Sequence, residues 1–159
     1  MRRISSLAVI LIILFSACSK DNINFDEEAQ LEIDIALIEA YLLQNSLTAE
    51  ITENNIYYII TQEGTGEYPS DTSNVMVNYR GYFLDGTTFD TNKLGPVNIP
   101  LTRDYIPGWK ESILLLREGG SGTFFIPSGL GFGLNGTSDG TIPPNSVLIF
   151  DVELLEILD

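Results

Sequence analysis

Two periodicities divide the chain. Before about residue 50, apolar positions recur at helical spacing: Asp26-Glu27-Glu28 opens a run in which Leu31, Ile35, Ile38 and Leu42 fall on one face. This predicts a helix of about 20 residues ending near Gln44-Asn45-Ser46, with acidic residues in the first turn, where the helix dipole favours them. Its apolar stripe needs a cover. Either its own domain or a second copy of the chain could provide one, although the stripe is too short to specify a coiled coil.

From Ile56 onward the period is two. Strands are predicted at Ile56–Ile60, Asn74–Leu84, Gly122–Ile126 and Ser146–Leu155, with a short extended piece at Thr88-Phe89-Asp90 after the turn chemistry of Asp85-Gly86. In the second strand Val75, Val77, Tyr79 and Phe83 share one face and Asn78, Arg80 and Tyr82 the other. In the last strand Leu148, Phe150, Val152 and Leu154 alternate with Ile149, Asp151 and Glu153, so Phe150 and Tyr79 are both expected to face the core. A short helix is predicted from about Trp109 to Arg117, stopped by Glu118-Gly119-Gly120. Several antiparallel strands with one short helix make an α+β domain.

The 159 residues, 44% hydrophobic and 19% charged, suit one compact domain with an appendage. A net charge of −14 sets it against nucleic acid, because phosphates would be repelled by most of the surface. The chain has no histidine, which excludes His-based triads and His zinc sites, and its single cysteine excludes an internal disulfide framework.

That cysteine belongs to the leader. Arg2 and Arg3 precede the unbroken apolar run Leu7–Phe15, which is far shorter than the roughly 20 residues a spanning helix needs, and Ser16-Ala17-Cys18 follows. Residues 1–17 read as a signal peptide. Leu14-Phe15-Ser16-Ala17-Cys18 resembles the bacterial lipobox, with Phe15 where Leu is usual, and the resemblance implies that Cys18 becomes an acylated first residue. Several acyl chains at about 0.8 kcal/mol per buried CH₂ hold a protein firmly on a bilayer. The expected organisation is a leader (1–17), a lipidated tether (18–25), a helical extension (26–49) and an α+β domain (50–159), anchored by lipid to a bacterial envelope membrane, the outer one by expectation.

Conventional catalysis finds little foothold. Gly131-Phe132-Gly133-Leu134-Asn135-Gly136 matches G-x-G-x-x-G, but Thr137-Ser138-Asp139-Gly140 and Pro143-Pro144 follow it instead of a helix, so it is loop composition. Nothing pairs two of the 22 acids in a cleft. There remain aromatics beside Gly- or Pro-rich loops: Tyr79, Phe89, Trp109, Phe132 and Phe150. Singly, each reads as ordinary core. Exposed Tyr57, Tyr58 and Tyr68 would suit a polysaccharide-binding protein, a weaker alternative.

Six blocks in order carry a specific resemblance: Val77-Asn78-Tyr79-Arg80-Gly81-Tyr82, Asp85-Gly86-Thr87-Thr88-Phe89-Asp90, Ile106-Pro107-Gly108-Trp109, Ile126-Pro127-Ser128 with Gly131-Phe132-Gly133, Ile142-Pro143-Pro144-Asn145, and Leu148-Ile149-Phe150-Asp151-Val152-Glu153-Leu154. Their order and spacing are similar to those of the FKBP-type peptidyl-prolyl isomerases. The resemblance implies a twisted antiparallel sheet wrapped around one short helix, and acceleration of Xaa-Pro rotation in proline-containing polypeptides, with no cofactor or metal. It also implies a proline pocket with Trp109 as floor, lined by Tyr79, Phe89, Asp90, Ile106, Phe132, Ile142 and Phe150, and a substrate carbonyl bound by the Ile106 N–H. Three positions depart from the family pattern: Phe132 where Tyr is common, Val97 where an aromatic wall is common, and Tyr105 where an aliphatic residue is common. A non-catalytic chaperone or scaffold on the same fold is the alternative.

Overall fold

The computed structural model describes residues 27–158; the leader, Cys18 and the expected tether lie outside the described residues. Seven strands form one antiparallel sheet: β1 (Glu50–Ile51), β2 (Tyr57–Gln62), β3 (Asn74–Tyr82), β4 (Thr88–Thr91), β5 (Val97–Pro100), β6 (Ser121–Ile126) and β7 (Leu148–Ile157). The order is β1-β2-β6-β7-β3-β4, and β5 pairs with the other end of β3. With helices α1 (Glu27–Gln44) and α2 (Pro107–Leu114), the fold is α+β.

The main core is the α2 side of the sheet. Trp109, Ile113 and Leu116 pack there against Val75, Val77, Phe124, Ile126, Leu148, Phe150, Val152 and Leu154. The alternation in β3 and β7 sends these side chains inward, as the sequence pattern requires. Helix α2 begins two residues earlier than the sequence suggests, because Pro107 takes the first helical position, where its missing N–H costs nothing. It ends at Leu114 in a tight turn, Leu116 N–H donating to the Ile113 carbonyl at 3.0 Å.

The opposite face is covered too. Ile38 and Leu42 of α1 pack on Tyr57, Phe125, Val147 and Ile149, so the predicted stripe is satisfied by its own domain. Ile149, which the alternation assigns to the outer face, is therefore fully buried. Burying one such side chain contributes about 1.5–3 kcal/mol, enough to hold α1 against the sheet. A second set of apolar residues, Ile33, Leu37 and Leu43, stays exposed on the far side of the helix. Asp34, in contrast, is wholly buried.

Strands β1 and β5 are not evident in the sequence. The first has two residues; the second is flanked and ended by Pro96 and Pro100, which suit only an edge, and it pairs with β3 alone.

Candidate functional site

A cavity of about 540 Å³ is lined by residues of β3, β4, β5, β7, the start of α2 and the loop joining β6 to β7. Four rings form its base. Trp109, 4% exposed, meets Tyr79 edge-on at 5.1 Å and Phe150 at 4.9 Å, and Phe150 meets Phe89 at 5.5 Å with the ring planes 86° apart. These are the offset and edge-to-face geometries that aromatic quadrupoles prefer.

Backbone devices place each ring. Trp109 stands in the first turn of α2, and the helix can approach the sheet there because Gly108 has no Cβ to strike Ile126. Phe150 on β7 is paired across the sheet with Gly81 on one side and Phe124 on the other. A Cβ at Gly81 would fall 2.5 Å from Phe89 and 2.8 Å from Phe150, so glycine leaves the space in which the two rings meet. Phe89 itself sits at a bulge: Gly81 pairs with Asp90 and Tyr82 with Thr88, leaving Phe89 unopposed and turned toward the cavity.

The polar rim is built from β3 and β4. The Tyr79 hydroxyl donates to Asp90 Oδ2 at 2.9 Å, while Asp90 Oδ1 accepts the Thr91 N–H at 2.8 Å. Burial, then the hydrogen bond to Asp90 and its negative charge, push the Tyr79 phenol up to about 12, so it remains a donor at neutral pH. Asn92 fills the gap where β4 and β5 diverge along β3. Its Oδ1 accepts the Tyr79 N–H at 2.7 Å, and its Nδ2 donates to the Val77 and Gly95 carbonyls and to Asn78 Oδ1.

The β6–β7 loop supplies Phe132 and Ile142. Thr137 closes the loop on Ile142 in both directions, its N–H donating to the Ile142 carbonyl and its Oγ1 accepting the Ile142 N–H, each at 2.9 Å. Asp139 holds the tip: hydrogen bonds from the Thr137 hydroxyl and from the Thr141 N–H and hydroxyl lower its carboxyl to about 2. Ile106 caps α2 through its carbonyl, which accepts the Trp109 N–H at 3.1 Å. Among the described residues no protein acceptor takes the Ile106 N–H.

A model of the FKBP-type peptidyl-prolyl cis-trans isomerase family matches residues 65–155, more than half of the chain. The chain belongs to this family. It is 43% identical over 123 residues to the probable FKBP-type peptidyl-prolyl cis-trans isomerase FkpA of Neisseria meningitidis, covering 75% of this chain and 44% of that protein. It is 34% identical over 137 residues to the peptidyl-prolyl cis-trans isomerase Mip of Chlamydia trachomatis, covering 83% and 54%. The chain thus spans about half the length of the curated relatives it matches. Among solved structures, FkpA from Escherichia coli is similar at a TM-score of 0.68 with 33% identity, over 82% of this chain and 63% of that one. A peptidyl-prolyl cis-trans isomerase from Pseudomonas syringae is similar at 0.70 with 26% identity, over 83% and 96%.

The structure brings together Tyr79, Phe89, Asp90, Ile106, Trp109, Phe132, Ile142 and Phe150, the set that the FKBP-type resemblance implies. Val97 is not among the lining residues. It pairs with Val77 on β5, and Ile99, two residues along the strand, lines the cavity in its place. Tyr105 does line the cavity, as do Asp104, Thr137, Ser138, Asp139 and Thr141, which sequence reasoning missed. The signal for Thr137, Ser138 and Asp139 was present in Thr137-Ser138-Asp139-Gly140, a run of turn formers that reads only as a break in structure. The three tyrosines of the carbohydrate alternative form no platform: Tyr57 is buried and donates to Glu39, Tyr58 donates to Glu50, and Tyr68 lies under the Arg117 guanidinium.

Proposed function

We propose that this chain is a peptidyl-prolyl cis-trans isomerase that accelerates rotation about Xaa-Pro bonds in envelope or secreted polypeptides. The observation that carries the reading is the open aromatic cavity: four rings from β3, β4, α2 and β7 meet around space that no side chain of the domain fills. Rotation of an Xaa-Pro amide faces a barrier of roughly 18–20 kcal/mol because it breaks amide resonance. The planar amide is the more polar state and loses more on leaving water than the twisted one. An apolar cavity therefore favours the twisted geometry, and each 1.36 kcal/mol so gained is about a tenfold rate increase.

Within this reading the proline ring sits on Trp109 between Tyr79 and Phe150, and the free Ile106 N–H receives the carbonyl that follows. Tyr79 and Asp90 position the chain; neither moves a proton. Phe132 and Ile142 close the loop side of the pocket. The test is cis-to-trans conversion of a Xaa-Pro peptide by the full chain. We expect acceleration that Trp109→Ala and Phe150→Ala abolish, and a wild-type rate equal to the buffer control would refute the reading.

The same proposal includes a lipid anchor at Cys18 on a bacterial envelope membrane, the outer one by expectation, supported by the lipobox-like Leu14–Cys18. Cys18→Ser should leave the protein unanchored or uncleaved. A homodimer through α1 would use Ile33 and Leu37, because the other apolar face is already covered. The same exposed residues favour a second reading, a holdase that keeps non-native chains soluble. Ile33→Asp with Leu37→Asp separates these ideas: it would abolish dimerisation and holdase action while leaving isomerisation intact.

A further inference from the structure

Asp34 is a carboxylate with no solvent exposure, in the middle of the helix face that docks on the domain. Among the described residues no basic side chain pairs with it; its partners are Gln30 Nε2, which donates to Oδ1 at 2.8 Å, and the Ser128 N–H, which donates to Oδ2 at 2.7 Å. Burying a carboxylate without a cation is costly, and an apolar residue would dock α1 more cheaply. The particular thing this carboxylate does is hold one backbone amide 94 residues away.

That amide starts the turn leading to the cavity. The turn Ser128–Leu130 has no side-chain cap of its own, so Asp34 is the side chain that satisfies it. The Ser128 carbonyl in turn accepts both the Gly131 and the Gly133 N–H, each at 2.9 Å. These two amides flank Phe132, which lines the cavity. Ser128 thus ties the backbone on both sides of the pocket-wall ring through its carbonyl, and Asp34 holds the same residue through its N–H. The helix carrying Asp34 is held in turn by Ile38 and Leu42 against Phe125 and Ile149.

We propose that Asp34 is a positioning residue for the proline pocket, through which the N-terminal helix sets the placement of Phe132 from the opposite face of the sheet. This rests on the function proposed above and adds that the helix belongs to the substrate site. The pocket's affinity for a Xaa-Pro peptide then depends on a side chain that never touches the peptide.

The test uses the full chain with Asp34→Ala, Asp34→Asn and Ile38→Ala. Three readouts are taken: hydrogen exchange at the Gly131 and Gly133 amides, the Kd of a Xaa-Pro peptide by NMR titration, and the split between KM and kcat. In Asp34→Ala we expect both amides to lose protection while those of β6 and β7 keep theirs. Kd and KM should rise about five- to tenfold, the loss expected from leaving a buried N–H unpaired, with kcat within about twofold. Asp34→Asn, whose Oδ1 can still accept, should recover most of the affinity. Ile38→Ala should lower Tm without changing Kd. In a Phe132→Ala background Asp34→Ala should add nothing.

Unchanged Gly131 and Gly133 protection, or a fall in Tm with Kd unmoved, would overturn the proposal. An equal rise in Kd in Ile38→Ala would also overturn it, by assigning the effect to helix docking in general. If Asp34→Ala does not fold, Gln30→Ala carries the test, since it frees the carboxylate from its second partner, and unaltered exchange there counts against the proposal. A wild type that binds the peptide without isomerising it defeats the catalytic reading alone. One that binds nothing defeats the function, and exchange then decides whether Asp34 governs the turn.

Discussion

Gly81→Ala puts a methyl group where the two innermost rings of the cavity meet. The added carbon would lie 2.5 and 2.7 Å from Phe89 Cε2 and Cζ and 2.8 Å from Phe150 Cε1, whereas non-bonded carbons settle at about 3.5–4.0 Å. Each ring must withdraw by roughly 1 Å. Phe150 is held in the main core, so most of the movement falls to half-buried Phe89 at its bulge. Overpacking of this kind costs about 1–3 kcal/mol, and replacing a strand glycine returns about 0.5–1 kcal/mol of backbone entropy. The net loss is about 1–2 kcal/mol, a fall in Tm of about 3–6 °C for a chain of this size. If a similar share of transition-state fit is lost, kcat/KM for a Xaa-Pro peptide falls about 5- to 30-fold. Differential scanning calorimetry and an isomerisation assay measure the two losses. A variant unchanged in both would refute the account of Phe89 and Phe150 as the ring pair that Gly81 admits.

Trp109→Ala should cost about 3–5 kcal/mol, because the indole is shared between the main core and the cavity floor; urea denaturation with a midpoint near that of wild type would contradict the placement. The Tyr79 phenol, raised to about 12, makes a stabilising contribution that is complete below its unfolded value near 10 and is lost as pH climbs through about 12. Between these values the Tm of wild type should fall relative to that of Tyr79→Phe, and a constant difference would dismiss burial and the hydrogen bond to Asp90 as holding the phenol protonated. With no histidine in the chain and Tyr79 protonated, kcat/KM should be flat from about pH 7 to 9; a bell-shaped profile would show that a proton moves after all.

Much of the site was legible because its rings stand on regular elements. The inward facing of Tyr79 and Phe150 follows from the alternation in their strands and the place of Trp109 from a predicted helix start, while their assembly into one pocket was legible only through the FKBP-type resemblance. What escaped has physical reasons. A period of two reports one buried face, so the burial of Ile149 and Phe125 under α1 could not be read from β6 or β7 themselves. Asp34 falls between Leu31 and Ile38 on the apolar stripe, and nothing local announces the amide 94 positions away that it holds. Val97 is expected at the wall from the family pattern alone, and Ile99 lines it instead because β5 takes its register from β3, which a segment bounded by Pro96 and Pro100 does not reveal. Thr137, Ser138, Asp139 and Thr141 line the cavity through loop closure by Thr137 and Asp139, a geometry with no periodicity to detect.

Among the described residues, strand β7 is the last element in sequence and a middle one across the sheet. Until it arrives, the β1-β2-β6 half and the β3-β4-β5 half have no common neighbour to pair with. The same strand brings Phe150 into the cavity. A chain arrested before residue 148 can therefore neither unite its two halves nor complete the aromatic cavity, and the domain closes its pocket in the step that makes it whole.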